Sequence, residues 1–309
     1  MNCSRPYDIL VVGELNVDIV VRGGDIVPRF GQAEQIVDDL SVNAGSSGAI
    51  FAVAASKLGM RVLYGSVVGD DPFGHYMIAA LEQAGVATSA IRVDPQIKTG
   101  ASVMLSKGND RAMLTYLGSI AALNERDVDH DWFRQARHLH VVSPFLMSGL
   151  RPYMPTMMRL ARQGGMTVSL DTNWDPDEQW LLDGFFEHLD LFLPNEQELR
   201  AISGEASLKK AIAAQKARVE TLVVKRGGQG AIALRGEERI ELPADRIHIA
   251  DTTGAGDTFD AGFLSGWLRG MPLEECLRLG IICGGMTATQ IGGFNGQPTW
   301  EQALSRLRE

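Results

Sequence analysis

The stretch Asp251-Thr252-Thr253-Gly254-Ala255-Gly256-Asp257-Thr258-Phe259-Asp260-Ala261-Gly262-Phe263-Leu264 joins two patterns. Before it, residues 246–250 read as a strand-like segment. Within and after it, Phe259, Phe263 and Trp267 recur every four residues and mark one apolar helix face. Gly254, Ala255 and Gly256 carry little or no side chain where that helix begins. A bound group can therefore reach the first backbone N–H groups, which have no partner inside a helix and carry partial positive charge. Such a turn suits phosphate. Asp257 stands at its edge, where a carboxylate repels a phosphate. Taking the proton from a hydroxyl that attacks the phosphate gives it a reason to be there. The plainer reading is a glycine-rich helix start whose acid favours the helix dipole.

Outward from this turn, the chain alternates between two periods. Ile9-Leu10-Val11-Val12 is a continuous apolar run closed by Gly13, the pattern of a strand buried on both faces. Similar runs recur at 139–143, 166–170, 189–193 and 222–224, with helical spacing at 48–58, 73–84, 152–162, 196–202 and 208–218. Strand–helix alternation implies an α/β fold with a parallel sheet and helices on both faces. From Pro272 onward the pattern is mostly helical, interrupted by a Gly/Asn/Pro-rich loop at 292–298. Two regions break the rhythm: 17–21 with 32–40, and 99–105 with 112–117 around the turn Lys107-Gly108-Asn109-Asp110. Both read as β-hairpin material, and four such strands suit a small sheet over one end of the core.

At 309 residues the chain suits one large α/β domain, 1–309, with the small sheet built from two insertions at about 16–42 and 98–118. A net charge of −9 argues against a general nucleic-acid partner, which would meet a basic face. No apolar run reaches membrane-spanning length, and the N-terminal residues lack a signal pattern. Cys3, Cys276 and Cys283 make no disulfide framework, and a reduced cytoplasmic setting is expected. Asn2-Cys3-Ser4 fits a glycosylation sequon by chance. The six histidines lack metal spacing, and His138 and His140 read as structural. The first strand is followed by Gly13-Glu14-Leu15-Asn16 rather than GxGxxG, which weakens a dinucleotide-dependent oxidoreductase.

The run 251–264 resembles the C-terminal signature of the ribokinase / phosphofructokinase-B family of carbohydrate kinases, and the likeness extends over nearly the full chain. The resemblance implies a ribokinase-like doubly wound, mostly parallel sheet with a small β-sheet lid that also serves as a homodimer surface. It implies that Gly254, Ala255 and Gly256 form an anion hole and that Asp257 is the catalytic base. ATP and Mg²⁺ are the cofactors to expect, with K⁺ a candidate at a site like that formed by Asp251 and Thr253. Thr252 falls among the expected nucleotide contacts.

Other motifs gain meaning beside this resemblance. Asn16 and Asp18 alternate with apolar residues at the end of the first strand, and an amide with a carboxylate grips vicinal hydroxyls. A polar loop leaving a strand is the bland reading; the family carries a sugar-holding Asp here. Ser46 and Ser47 in Asn43-Ala44-Gly45-Ser46-Ser47 are cap candidates, and Gly45 and Ser47 are candidate sugar contacts by resemblance. The family's Asn in this segment falls on Ile50, which cannot bond a sugar hydroxyl. Gly69-Asp70-Asp71-Pro72-Phe73-Gly74 reads as a turn and helix start. Asp171-Thr172-Asn173-Trp174-Asp175 fits no EF-hand, and Asp175 stands where the family often has an Arg, which disfavours a phosphosugar or sugar acid.

Asn195 and Glu198 open another helix, either as an ordinary acidic start or as the family's Asn-x-x-Glu, which orders Mg²⁺ and its waters. Lys225, Gly227 and Gly230 lie in a glycine turn, a hairpin turn or, by resemblance, a nucleotide contact with Lys225 meeting a phosphate. Residues 281–293 read as the last helix and the start of the next loop; an Asn often found in the family's corresponding helix falls on Ile281, and Gly284-Gly285 is a candidate space for the base. Together these features imply ATP-dependent phosphorylation of a hydroxymethyl group on a sugar. A nucleoside kinase of the same fold is the first alternative. A retired kinase that binds sugar or nucleotide as a sensor is the second.

Overall fold

The computed structural model describes residues 5–24, 26–107 and 110–309; Cys3, the sequon and the tip Gly108-Asn109 lie outside them. The elements follow in chain order. β1 (Tyr7–Val12), β2 (Asn16–Arg22) and β3 (Asp39–Ala44) precede α1 (Ser47–Lys57), β4 (Val62–Gly69), α2 (Pro72–Gln83) and β5 (Ala87–Asp94). β6 (Gly100–Lys107) and β7 (Asp110–Tyr116) lead to the short α3 (Ser119–Ala122) and α4 (Trp132–Gln135). β8 (Ala136–Val142), α5 (Met154–Gln163), β9 (Thr167–Asp171), β10 (Leu191–Phe192), α6 (Glu196–Ser203), α7 (Leu208–Lys216) and β11 (Thr221–Lys225) continue the alternation. The hairpin partner β12 (Ala231–Arg235), β13 (Glu238–Leu242), α8 (Ala255–Trp267), α9 (Leu273–Ala288) and α10 (Trp300–Leu307) complete the chain.

Nine strands form the main sheet in the order β13-β12-β11-β10-β9-β8-β1-β4-β5. Pairing is parallel from β5 through β11 and antiparallel at β12 and β13. Apolar side chains along the central strands alternate between two clusters. Leu10, Val12, Leu139 and Val168 face one, and Ile9, Val11, Tyr64 and Val223 face the other. Burial on both faces is why these strands read as continuous apolar runs. β1 lies between β8 and β4, and the chain leaves it toward β4 before later returning to β8 on its other side. The gap between the ends of β1 and β8 is therefore the switch point where open α/β sheets bind ligands.

The second sheet has the order β3-β2-β6-β7: two antiparallel pairs joined by parallel β2 and β6. Its first hairpin departs from the expected bounds. The second strand runs over Asp39–Ala44, not 32–40, because Leu40, Val42 and Ala44 pair with Val21, Ile19 and Val17 and continue one apolar face. A second correction concerns 246–250, which forms no strand. These residues are exposed, and the ladder beside them ends at Leu242.

Candidate active site

The polar ends of β1, β8 and β9 and the N-termini of α1 and α8 meet at the C-terminal edge of the main sheet. Gly254 caps α8 in the left-handed region, φ 72°, a conformation that favours glycine. Ala255, Gly256 and Asp257 are the first three helical residues, and among the described residues no carbonyl accepts from the N–H of Gly256 or Asp257. Thr252 and Gly256 are exposed, whereas the Asp257 side chain is buried. The turn is packed from below. A Cβ on Gly254 would stand 2.8 Å from Ile50 Cγ2 and 2.9 Å from Gly293 Cα. Ile50 is thus a packing residue under the turn, and its side chain points at Gly254 and Gly293.

The sugar-side candidates converge on the same edge. Asn16 Nδ2 donates to Asp18 Oδ1 at 3.2 Å, and Gly45 N donates to the Asn16 carbonyl at 3.1 Å. A Cβ on Gly45 would meet Asp18 Cγ at 2.5 Å, so the carboxylate lies flat on that glycine. Ser46 is the N-cap of α1, accepting from Ala49 N at 3.2 Å. The next residue, Ser47, lies beside Asp257, and its side chain pulls the Asp257 carboxyl down against burial. The turn Gly45–Ser47 therefore spans from Asp18 to Asp257.

Glu14 was not singled out in the sequence, yet it lies beneath this turn. Its Oε1 accepts from Ser47 N at 3.1 Å and from Ser143 Oγ at 3.0 Å, across the switch point between β1 and β8. Asn173 Nδ2 extends the chain to Ser143 Oγ at 3.2 Å. Ser143 and Asn173 hold φ of 46° and 52°, and non-glycine residues in that region mark strained, often functional, backbone. The available signal was the acid in Gly13-Glu14, directly after a buried strand.

The electrostatics are those of crowded acids with little water. Burial, then the neighbouring Asp171, pushes the Asp257 carboxyl up to about 8 against the lowering pull of Lys225. Burial pushes Glu14 up to about 7. Burial and Asp171 push Glu198 up to about 7. Lys225 Nζ sits among them, 2.9 Å from Asp171 Oδ2 and 2.8 Å from Asp260 Oδ2. Burial disfavours its charge, but Asp171 and Asp260 outweigh that and hold the ammonium protonated. The structure thus engages Lys225 with two carboxylates, where the sequence reading put it on a phosphate.

The nucleotide-side candidates form a second group. The turn from β11 to β12 closes with Arg226 N donating to Gly230 O and Gly230 N to Gly227 O, both 2.9 Å. Gly227 (φ 53°) faces open space, whereas a Cβ on Gly230 would collide with the Leu242 carbonyl. Gly230 is required by packing and Gly227 by its backbone. Gly284 likewise packs: a Cβ there would stand 2.7 Å from Ala255 O, whereas one on Gly285 would meet only Ile247 Cδ1, at 3.9 Å. Ile281 is buried in the core.

Asn195 and Glu198 form a capping box: Asn195 Oδ1 accepts from Glu198 N, Glu198 Oε2 accepts from Asn195 N at 2.9 Å, and Asn195 Nδ2 donates to Glu198 Oε1. These atoms are engaged with one another, so the pair fits a hydrated Mg²⁺ reached through water better than direct ligation. Asp251 Oδ1 accepts from Thr253 N at 2.9 Å and Oγ1 at 2.7 Å, and its Oδ2 accepts from Gly292 N at 3.1 Å. Asp175 is buried and accepts from the N–H groups of Asp177, Gln179 and Trp180 at 2.6–3.1 Å. It organises its own loop.

Comparison with known proteins shows the family. The family model described as pfkB family carbohydrate kinase matches residues 7–300. The chain belongs to the pfkB family of carbohydrate kinases. It is 27% identical to the ribokinase of Haemophilus influenzae, over 97% of this chain and 98% of the relative. It is 30% identical to a fructokinase of Salmonella typhimurium, over 94% of this chain and 99% of the relative. In fold it is similar to a ribokinase II of E. coli, put forward as such and solved with ATP and Mg²⁺, at TM-score 0.86, 22% identity, and coverage of 98% and 99%. No helix among the described residues is long and apolar enough to cross a membrane.

Proposed function

We propose that this kinase transfers the γ-phosphoryl group of ATP to a hydroxymethyl group of a sugar, with Asp257 orienting the attacking hydroxyl and accepting its proton. The observation that carries the reading is the position of Asp257: a buried carboxylate in the first turn of α8, beside the Gly256 and Asp257 N–H groups that no carbonyl occupies among the described residues. Asp18, Asn16 and Gly45 grip the acceptor at the far end of the same turn. The N–H groups of Gly254, Gly256 and Asp257 stabilise charge on the group in transfer, whereas the Ala255 N–H, expected to join them, already donates to the Thr252 carbonyl at 3.2 Å. Thr252, Gly227 and Gly230 border the nucleotide. Mg²⁺, reached through water from Asn195 and Glu198, offsets phosphate charge when bound. The small sheet covers the acceptor and excludes competing water. The Asp251–Thr253 loop, tied to Gly292, is the candidate site for K⁺, tested by exchanging KCl for NaCl.

The lid also supports a homodimer. Its face carrying Val17, Ile19, Ala44 and Ala101 packs on the core at one end, while Leu40, Val42, Leu114 and Tyr116 on that same face are 42–63% exposed. A second copy of the lid would cover these side chains.

ATP turnover against free sugars, sugar acids, phosphosugars and nucleosides tests the reading. Asp257→Asn is expected to lower kcat by roughly 10²–10⁴-fold, as for a lost general base, with sugar binding retained. Near-normal turnover by that variant would sink the mechanism, and turnover with nucleosides alone would move the acceptor to the nucleoside class.

A further inference from the structure

Lys225 ends β11, Asp171 ends β9 two strands away, and Asp260 lies one turn beyond Asp257 on α8. The Lys225 ammonium joins all three elements at 2.8–2.9 Å. The side chains of Lys225, Asp171 and Asp260 are 12%, 3% and 0% exposed. A Cβ on Gly256 would stand 3.7 Å from Nζ, so the ammonium lies directly against the phosphate-facing turn. Asp171 Oδ1 and Asp260 Oδ1 are buried without a donor. If Lys225 left to meet a phosphate, two buried carboxylates would lose their counter-charge, and breaking a buried pair by removing one partner is strongly destabilising. That cost favours a fixed ammonium.

We propose that Lys225 is a positioning residue: with Asp171 and Asp260 it clamps the first turn of α8, and with it Asp257, to the ends of β9 and β11. Residues three apart share a helix face, so a bond to Asp260 fixes the rotation of Asp257 about the helix axis. Buried ion pairs add little net stability over apolar packing, and holding geometry is a use they serve. The inference rests on the reading of Asp257 as the base.

A double-mutant cycle on Lys225→Met and Asp260→Ala tests it. Mg·ATP affinity is read by calorimetry without acceptor, and kcat with the sugar that the wild type phosphorylates fastest. Each single variant is expected to lower kcat roughly 10–100-fold, as for a displaced catalytic group. Affinity for Mg·ATP stays within about threefold, and the double variant is no worse than the worse single, because coupled residues are non-additive. Asp260→Asn, whose amide oxygen still accepts from Nζ, recovers most of the loss. A tenfold or greater loss of Mg·ATP affinity in Lys225→Met with kcat retained, or additive effects on kcat, overturns the clamp. Should Lys225→Met not fold, Asp171→Asn replaces it: reduced kcat at unchanged Mg·ATP affinity supports the clamp, and unchanged kcat overturns it. Turnover retained by Asp257→Asn would instead remove the base reading, and amide exchange at 254–258 then decides the clamp: faster exchange in Asp260→Ala supports it, and unchanged exchange overturns it.

Discussion

The two edges of the main sheet treat charge in opposite ways, and α8 runs from one to the other. At the N-terminal edge, Asp8 is matched twice over: Arg61 reaches both of its carboxylate oxygens at 3.0–3.1 Å, and Arg61 N adds a bond at 3.0 Å. Arg137 donates to the carbonyl of Leu268, the C-cap of α8, at 2.9 Å, and Arg5 donates to the carbonyl of Gly164 at the end of α5. Cations at helix C-termini favour the dipole. At the C-terminal edge, Asp171, Glu198, Asp257 and Asp260 crowd around Lys225, Glu14 lies near Asp257, and oxygens of Glu14, Asp171 and Asp260 lack donors. One edge satisfies its charges and holds the fold. The other keeps them frustrated, and that is where ligands are expected.

The largest break in this contrast should come from crowding Asp18. Gly45→Ala places a methyl where that carboxylate lies, forcing it away from the acceptor. Small displacements of a binding group can cost about 10²-fold. Acceptor kcat/KM is expected to fall by that order, with the KM for ATP nearly unchanged. A normal acceptor KM would show that Asp18 does not hold the sugar.

How much of this was legible in the sequence depends on range. Gly254–Asp257, Asp18, Gly45 and Ser47 stand in short motifs, and local patterns drew attention to them. The α/β alternation was legible for the same reason, since periodicity is local. The clamp was not: Lys225 meets Asp171 and Asp260 at separations of 54 and 35 residues. Ile50 and Asp175 looked like lost substrate contacts because only their place in a motif was visible. Their side chains turn away, one under Gly254 and the other into its own loop. The β3 bounds were missed because register with β2, a tertiary choice, selects the pairing residues.

The pH response sharpens the contrast further. The proposed base, Asp257, must be ionised to act, and burial with Asp171 pushes its carboxyl up to about 8. Below that value the folded enzyme holds the proton. Acceptor kcat/KM, which reports the free enzyme, should therefore fall about tenfold per pH unit as pH drops below roughly 8. A limb near 4 would mean that the site presents an ordinary carboxylate.

The smallest effect separates the edges by sign. Asp8 has a folded pKa below its ordinary value: burial raises it, but hydrogen bonds and charge from Arg61 outweigh that. Its contribution to stability is present above the unfolded pKa and is lost as pH falls through the folded one. At pH 8 Asp8→Asn should therefore destabilise the protein by about 1 kcal/mol, less than the roughly 1.5–3 kcal/mol of a buried hydrogen bond to a charged group because Arg61 is half exposed and screened by solvent, and leave kcat intact. Asp257 is the reverse case. Its folded pKa lies above 3.8, so the folded state binds the extra proton between about 4 and 8, and stability declines as pH rises through that window. Asp257→Asn removes the buried charge and should raise Tm by a few degrees at pH 8, on the order of 2 kcal/mol, with the gain shrinking toward pH 5. Paired thermal scans at the two pH values read both variants. If Asp257→Asn lowers Tm at pH 8 as Asp8→Asn does, both edges are built for stability and the contrast fails.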